Sequence, residues 1–125
     1  MESLPKCFAP WSSRPRDIID RRTAAGVTIT LTNANQFQPG TLTVARGTTV
    51  TWVNTGLAPH TVTDDVSKAA KPTDALLPSD AQAWDAGMLN GGQSFSHTFD
   101  TPGEYTYFCM PHESVGMVGH ITVTS

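Results

Sequence analysis

From Val27 onward the chain alternates. Val27, Ile29 and Leu31 interleave with Thr28, Thr30 and Thr32, a period of two with a β-branched bias, which predicts a half-buried strand. The same pattern predicts strands over 41–45, 48–54, 93–99, 105–109 and 119–124, and a brief one over 61–63. Alternation assigns faces within them. Val50 and Trp52 share a face, as do Phe95, His97 and Phe99, and Tyr105, Tyr107 and Cys109, while Ile121 and Val123 point inward. Turn residues punctuate the strands: Pro39-Gly40, Arg46-Gly47, Asn54 to Gly56, and Pro102-Gly103. Residues 64–84 fit no period. Their mixture of Ala, Asp, Pro and Lys reads as a long irregular connection, with one helical turn near 74–77 at most. Residues 85–92 form a Gly-rich loop. About seven to eight short strands without a long helix predict an all-β fold, an antiparallel β-sandwich or Greek-key barrel.

Composition sets the outer limits. A chain of 125 residues holds one domain with a real core. Residues 1–23, broken by Pro5, Pro10 and Pro15, read as an N-terminal extension without an assigned role, and residues 24–125 as the domain. No apolar run approaches the roughly 18–20 residues of a membrane span. No secretory signal is visible at the N-terminus. The net charge of −3 is unevenly spread. The extension carries five bases against three acids, whereas residues 24–125 carry three bases against eight acids. An acidic body excludes nucleic acid as a partner and permits steering toward a basic protein.

The chemistry concentrates near the C-terminus. Residues 105–119 read YTYFCMPHESVGMVG. Within one loop stand a thiol (Cys109), an imidazole (His112) and a thioether (Met117). These soft and borderline ligands together suit copper better than zinc, magnesium or calcium. A trigonal His2Cys site with a weak axial Met is the arrangement of blue-copper electron transfer, and it needs one more His. His97 lies on the Phe95/Phe99 face as an ordinary sheet histidine, and His120 alternates against Ile121 and points outward. His60 follows Pro59 at the end of a strand–loop crossing. By elimination it is the best partner for the loop, provided that Greek-key connections bring the two loops together.

Here the residues carry a family resemblance. Residues 51–60 (TWVNTGLAPH), 84–95 (WDAGMLNGGQSF) and 105–119 resemble the corresponding segments of plastocyanin and its relatives pseudoazurin, halocyanin and amicyanin. The resemblance covers roughly residues 24–125. It implies the cupredoxin fold, a Greek-key β-sandwich. It implies one type 1 copper ion held by His60, Cys109 and His112 in the equatorial set, with Met117 as the axial contact. It implies an extracytoplasmic location, in periplasm, thylakoid lumen or at a cell surface. One position departs from the family. The His-Asn dipeptide, whose Asn ties the two ligand loops together, is His60-Thr61 here. A Thr hydroxyl donates and accepts but has shorter reach. Asn54, at the head of the His60 loop, is the other residue expected behind the ligands.

The expected function is single-electron transfer between redox partners, without enzymatic activity, by a monomer. His112 sits on a loop, so its ring edge is the expected electron exit. Leu57, Ala58, Pro59, Pro111 and Val115 surround it as a small apolar patch for transient docking. The alternatives are a non-redox copper carrier and a cupredoxin fragment of a multicopper oxidase or nitrite reductase. A thiol enzyme lacks an orienting acid, a zinc site leaves Met117 unused, and a Cys7–Cys109 disulfide would take away the thiolate.

Overall fold

The computed structural model describes residues 26–125. The expectations for the extension and for Cys7 fall outside the described residues. Nine strands are present in them, arranged as two facing sheets. The first sheet has the order β2 (Phe37–Gln38), β1 (Val27–Leu31), β4 (Thr48–Asn54), β7 (Ser94–Phe99). The second has the order β3 (Thr41–Ala45), β9 (Val118–Thr124), β8 (Gly103–Phe108), β5 (Thr63–Asp64), β6 (Trp84–Asp85).

The alternation seen along the chain becomes the core. Ile29, Leu31, Val50, Trp52 and Phe99 from one sheet meet Val44, Tyr105, Tyr107, Ile121 and Val123 from the other, all buried. Trp52 lies at the centre, with ring centroids 5.4 Å from Tyr107, 6.2 Å from Trp84 and 5.9 Å from Phe95. Truncating such a residue to Ala costs about 3–5 kcal/mol. Gly119 packs against the hydroxyl end of the Tyr107 ring, with no room for a Cβ.

Two expectations need correction. The sheets are mixed rather than antiparallel: β1 runs parallel to β4, and β3 parallel to β9. A period of two is common to both ladder types, so alternation alone does not distinguish them. The distinction lies in the path: the chain crosses to the second sheet at β3 and returns at β4. The irregular connection is also more structured than expected. It holds 3-10 turns at Val66–Lys68 and Pro72–Asp74, a bridge from Leu76 to Thr106, and β6. The second of these turns ends at Asp74, where the 74–77 segment expected from composition begins.

Candidate metal centre

Strand direction brings the predicted ligands together. β4 and β8 run to the same pole of the sandwich, where β4 leads into the His60 loop and β8 into Cys109. β5 pairs with β8 through Thr63 opposite Phe108, which lays residues 60–62 alongside 109–110. His60 is fixed by a two-way bridge to Leu89: its N–H donates to the Leu89 carbonyl (3.0 Å), and the Leu89 N–H donates back (2.7 Å). Asn54 secures the loop between. Its Nδ2 donates to the carbonyls of Ala58 (2.8 Å) and Leu89 (2.9 Å), and its Oδ1 accepts from Gly56 N–H (2.9 Å).

Three ligand atoms converge. His60 Nδ1 lies 3.1 Å from His112 Nδ1, and Cys109 Sγ lies 3.6 Å from the first and 3.5 Å from the second. The triangle is nearly equilateral. An ion at its centre sits about 2 Å from each atom, the reach of a first-row metal–nitrogen or metal–sulfur bond. The donor set therefore fits one small, borderline-soft cation.

The protonation state of His60 suits a cation. Burial, and then the neighbouring His112, lower the His60 pKa, while the Thr32 carbonyl opposes them. A neutral imidazole is the ligand form. His60 Nε2 is buried without a hydrogen bond of good geometry, whereas Nδ1 faces His112 and Cys109. Burial pushes the Cys109 thiol up, against the Thr61 and His112 backbone N–H groups and the Thr61 hydroxyl. A thiol so placed ionises when a cation binds it. Among the described residues Cys109 is a free thiol.

The ligand loop is closed by its own backbone. Cys109 N–H donates to the Met117 carbonyl (3.0 Å), and Met117 N–H donates to the His112 carbonyl (3.2 Å). Met117 is thereby held, fully buried, beside Cys109. Gly116 turns the chain with φ of +86°, a conformation that favours glycine. Glu113 ties the loop outward: its two carboxylate oxygens accept from the Ala70 (2.9 Å) and Lys71 (3.0 Å) N–H groups of the long connection.

Thr61 spans the two loops despite its short side chain. Its Oγ1 accepts from Met110 N–H at 2.8 Å, and its own N–H lies 3.4 Å from Cys109 Sγ. The shorter reach of Thr61 is matched by a shorter gap, because the β5–β8 register draws the two backbones close.

The remaining histidines lie elsewhere. His97 stacks on Trp84 (centroids 4.4 Å, 25°), and exposed His120 is paired with Thr106 Oγ1 at 3.1 Å. Around half-exposed His112, Leu57 (90% exposed) and Val115 (66%) project to solvent, with Pro59 and Pro111 exposed and Ala58 half-buried. Met88 (54% exposed) precedes Leu89, the bridge partner of His60, and sequence reasoning missed it. So did the roles of Leu89, Thr63 and Glu113. The resemblance at 84–95 was the available signal for the first of these.

A β-sandwich with a Cys/His pair of loops converging at one pole defines a single-ion metalloprotein. Residues 25–124 match the family described as copper binding proteins, plastocyanin/azurin family. A chloroplastic plastocyanin of Tetradesmus obliquus is 41% identical over 90 residues, which cover 70% of this chain and 57% of that protein. Among solved structures, a purple cupredoxin from Nitrosopumilus maritimus is 29% identical, with a TM-score of 0.62, covering 78% of this chain and 99% of that one. A copper-containing nitrite reductase from Thermus scotoductus is 27% identical, with a TM-score of 0.64, covering 81% of this chain but 23% of that one. The chain belongs to the plastocyanin/azurin family of copper binding proteins, and its metal is one type 1 copper.

Proposed function

We propose that this chain carries single electrons between protein partners, with copper held by His60, Cys109, His112 and Met117. The observation that carries the reading is the triangle of His60 Nδ1, His112 Nδ1 and Cys109 Sγ, with edges of 3.1, 3.5 and 3.6 Å. Copper bound there supplies a one-electron couple. The protein's part is to hold the ligands still. The His60–Leu89 bridge, the Asn54 clamp and the loop's own backbone bonds resist movement between oxidation states. Asn54 and Thr61 act behind the ligands, the first on the His60 loop and the second between the loops.

Partners dock on the apolar rim of Leu57, Ala58, Pro59, Pro111 and Val115, extended by Met88, and electrons leave through His112. Exposed apolar side chains around a half-exposed ligand support this reading, and small interfaces suit redox pairs that must separate quickly. The protein itself works outside the cytoplasm, a reading in keeping with the relative that is named as chloroplastic. The protein acts as a monomer, with the rim free for its partners.

Copper(II) added to the metal-free protein gives an intense blue absorption, and Cys109→Ser abolishes it. A pale product with ordinary copper spectra overturns the assignment. Reversible voltammetry separates an electron carrier from a copper carrier.

A further inference from the structure

The two histidine ligands are held unequally. His60 is fully buried and is bridged to Leu89 through both of its backbone groups. His112 is half-exposed, and among the described residues its ring has hydrogen-bonding partners only in the other two ligands, His60 Nδ1 and Cys109 Sγ. Its direction therefore rests on its backbone. Regular structure does not fix that backbone: the 3-10 segment Met110–Val115 breaks at His112, whose φ of −121° and ψ of 15° are not helical.

The hold comes from the next residue. Glu113 reaches from the ligand loop to the long connection, where its Oε1 accepts from Ala70 N–H (2.9 Å) and its Oε2 from Lys71 N–H (3.0 Å). Successive backbone N–H groups aimed at one anion form a small binding concavity, and hydrogen bonds to an ionised acceptor are the stronger kind. The two donors lie between the turns Val66–Lys68 and Pro72–Asp74, and the second turn has no side-chain cap of its own. The Asp74 carboxyl stands beside that of Glu113, with the Lys71 charge acting on both. This platform is anchored on either side. Lys68 Nζ lies 2.7 Å from Asp85 Oδ2, and Leu76 exchanges backbone bonds of 2.9 and 3.1 Å with Thr106. Thr106 belongs to β8, the strand that runs into Cys109. The tether thus closes a circuit of contacts from Cys109, through β8 and the long connection, back to His112.

We propose that Glu113 is a positioning residue for the copper. By gripping the Ala70 and Lys71 N–H groups it fixes His112, the exposed ligand, relative to Cys109 and limits its movement between oxidation states. It acts through the His112 backbone and is not itself a ligand. Partners behind a ligand orient it and tune the metal, and a ligand that moves less lets electrons exchange faster. The inference rests on the copper reading above.

Glu113→Ala removes both acceptors. Electron self-exchange in the blue protein then slows about tenfold, the low end for losing a partner behind a ligand, and the sulfur-to-copper absorption band shifts and broadens. Glu113→Gln keeps the length and one acceptor oxygen, and falls between Glu113→Ala and wild type. Glu113→Asp keeps the charge but is one methylene short, and behaves like Glu113→Ala. This order separates a tether from a charge placed near the copper. A Glu113→Asp protein that matches wild type while Glu113→Gln matches Glu113→Ala means that charge alone acts, and overturns the proposal. So does a Glu113→Ala protein with an unmoved exchange rate and band. In the copper-free protein, Glu113→Ala speeds hydrogen exchange at the Ala70 and Lys71 N–H groups, and unchanged rates remove the tether. Wild-type protein that stays colourless with copper(II) instead overturns the copper reading, and the inference with it, whatever the hydrogen exchange shows.

Discussion

Asn54→Asp tests how the His60 loop is held. The change is isosteric, so packing is preserved and only the hydrogen bonds respond. Asn54 is fully buried and donates to two carbonyls, those of Ala58 and Leu89, at 2.8 and 2.9 Å. A carboxylate donates to neither. Two lost bonds cost about 0.5–1.5 kcal/mol each. The Leu89 carbonyl keeps the His60 N–H, but the Ala58 carbonyl is left facing a negative oxygen. A buried, unpaired charge is costly enough that the new carboxyl takes up a proton instead. Its folded-state pKa is therefore raised above the ordinary value of about 3.9. The sign follows from linkage: stability falls as pH rises from the unfolded pKa toward the folded one. The expected loss is about 2–4 kcal/mol at pH 8 and smaller at pH 5, read from urea melts of the copper-free protein, with weakened copper binding alongside. A loss below about 0.5 kcal/mol, equal at both pH values, would refute the clamp.

Three further outcomes are expected. His60→Ala abolishes the blue absorption, whereas His97→Ala and His120→Ala leave it in place, and equal effects in titrations with copper(II) would reject the ligand set. Asp64 is buried with no bond of good geometry to its carboxyl. Burial first, and then Asp65, push it up to about 8 from 3.8, against the Leu76 N–H, so wild-type stability declines as pH rises through that window, and Asp64→Asn flattens the decline in urea melts at pH 6 and 9. Gly119→Ala drives a Cβ into the Tyr107 ring and costs about 1–3 kcal/mol by overpacking, visible as a lowered Tm without loss of the blue band.

Much of the fold was legible because burial imposes a period of two. Val27, Ile29, Leu31, Val50 and Trp52 alternate in sequence and are all buried in the structure. The ligand loop was legible because Cys109, His112 and Met117 lie within nine residues and share one chemistry. His60 was reached only by discarding other histidines, and the structure gives the physical reason for that choice: β5 carries it to the pole where β8 ends. What periodicity could not show was pairing. Parallel and antiparallel neighbours share the same alternation, so the parallel pairs β1–β4 and β3–β9 left no mark in the sequence. Leu89 was hidden for a similar reason, because a single bridge between two loops leaves no periodic mark.

Thr61 shows where residue-by-residue reasoning stops. The reach a side chain needs is not a property of the residue, because it depends on the gap that the backbone leaves. The pairing of Thr63 with Phe108 narrows the gap between residues 61 and 110 until a hydroxyl spans it at 2.8 Å. A short residue then has an advantage that a longer amide lacks. Its single oxygen accepts both from Met110 N–H and from the Thr63 hydroxyl, which ties it to what lies behind it. Thr63 and Asp85 lie behind it, separated by 21 residues of irregular sequence. Their hydrogen bonds to each other and to Thr61 exist only once the sheet register is set, so this support behind the ligand loops is legible from the fold and not from the chain.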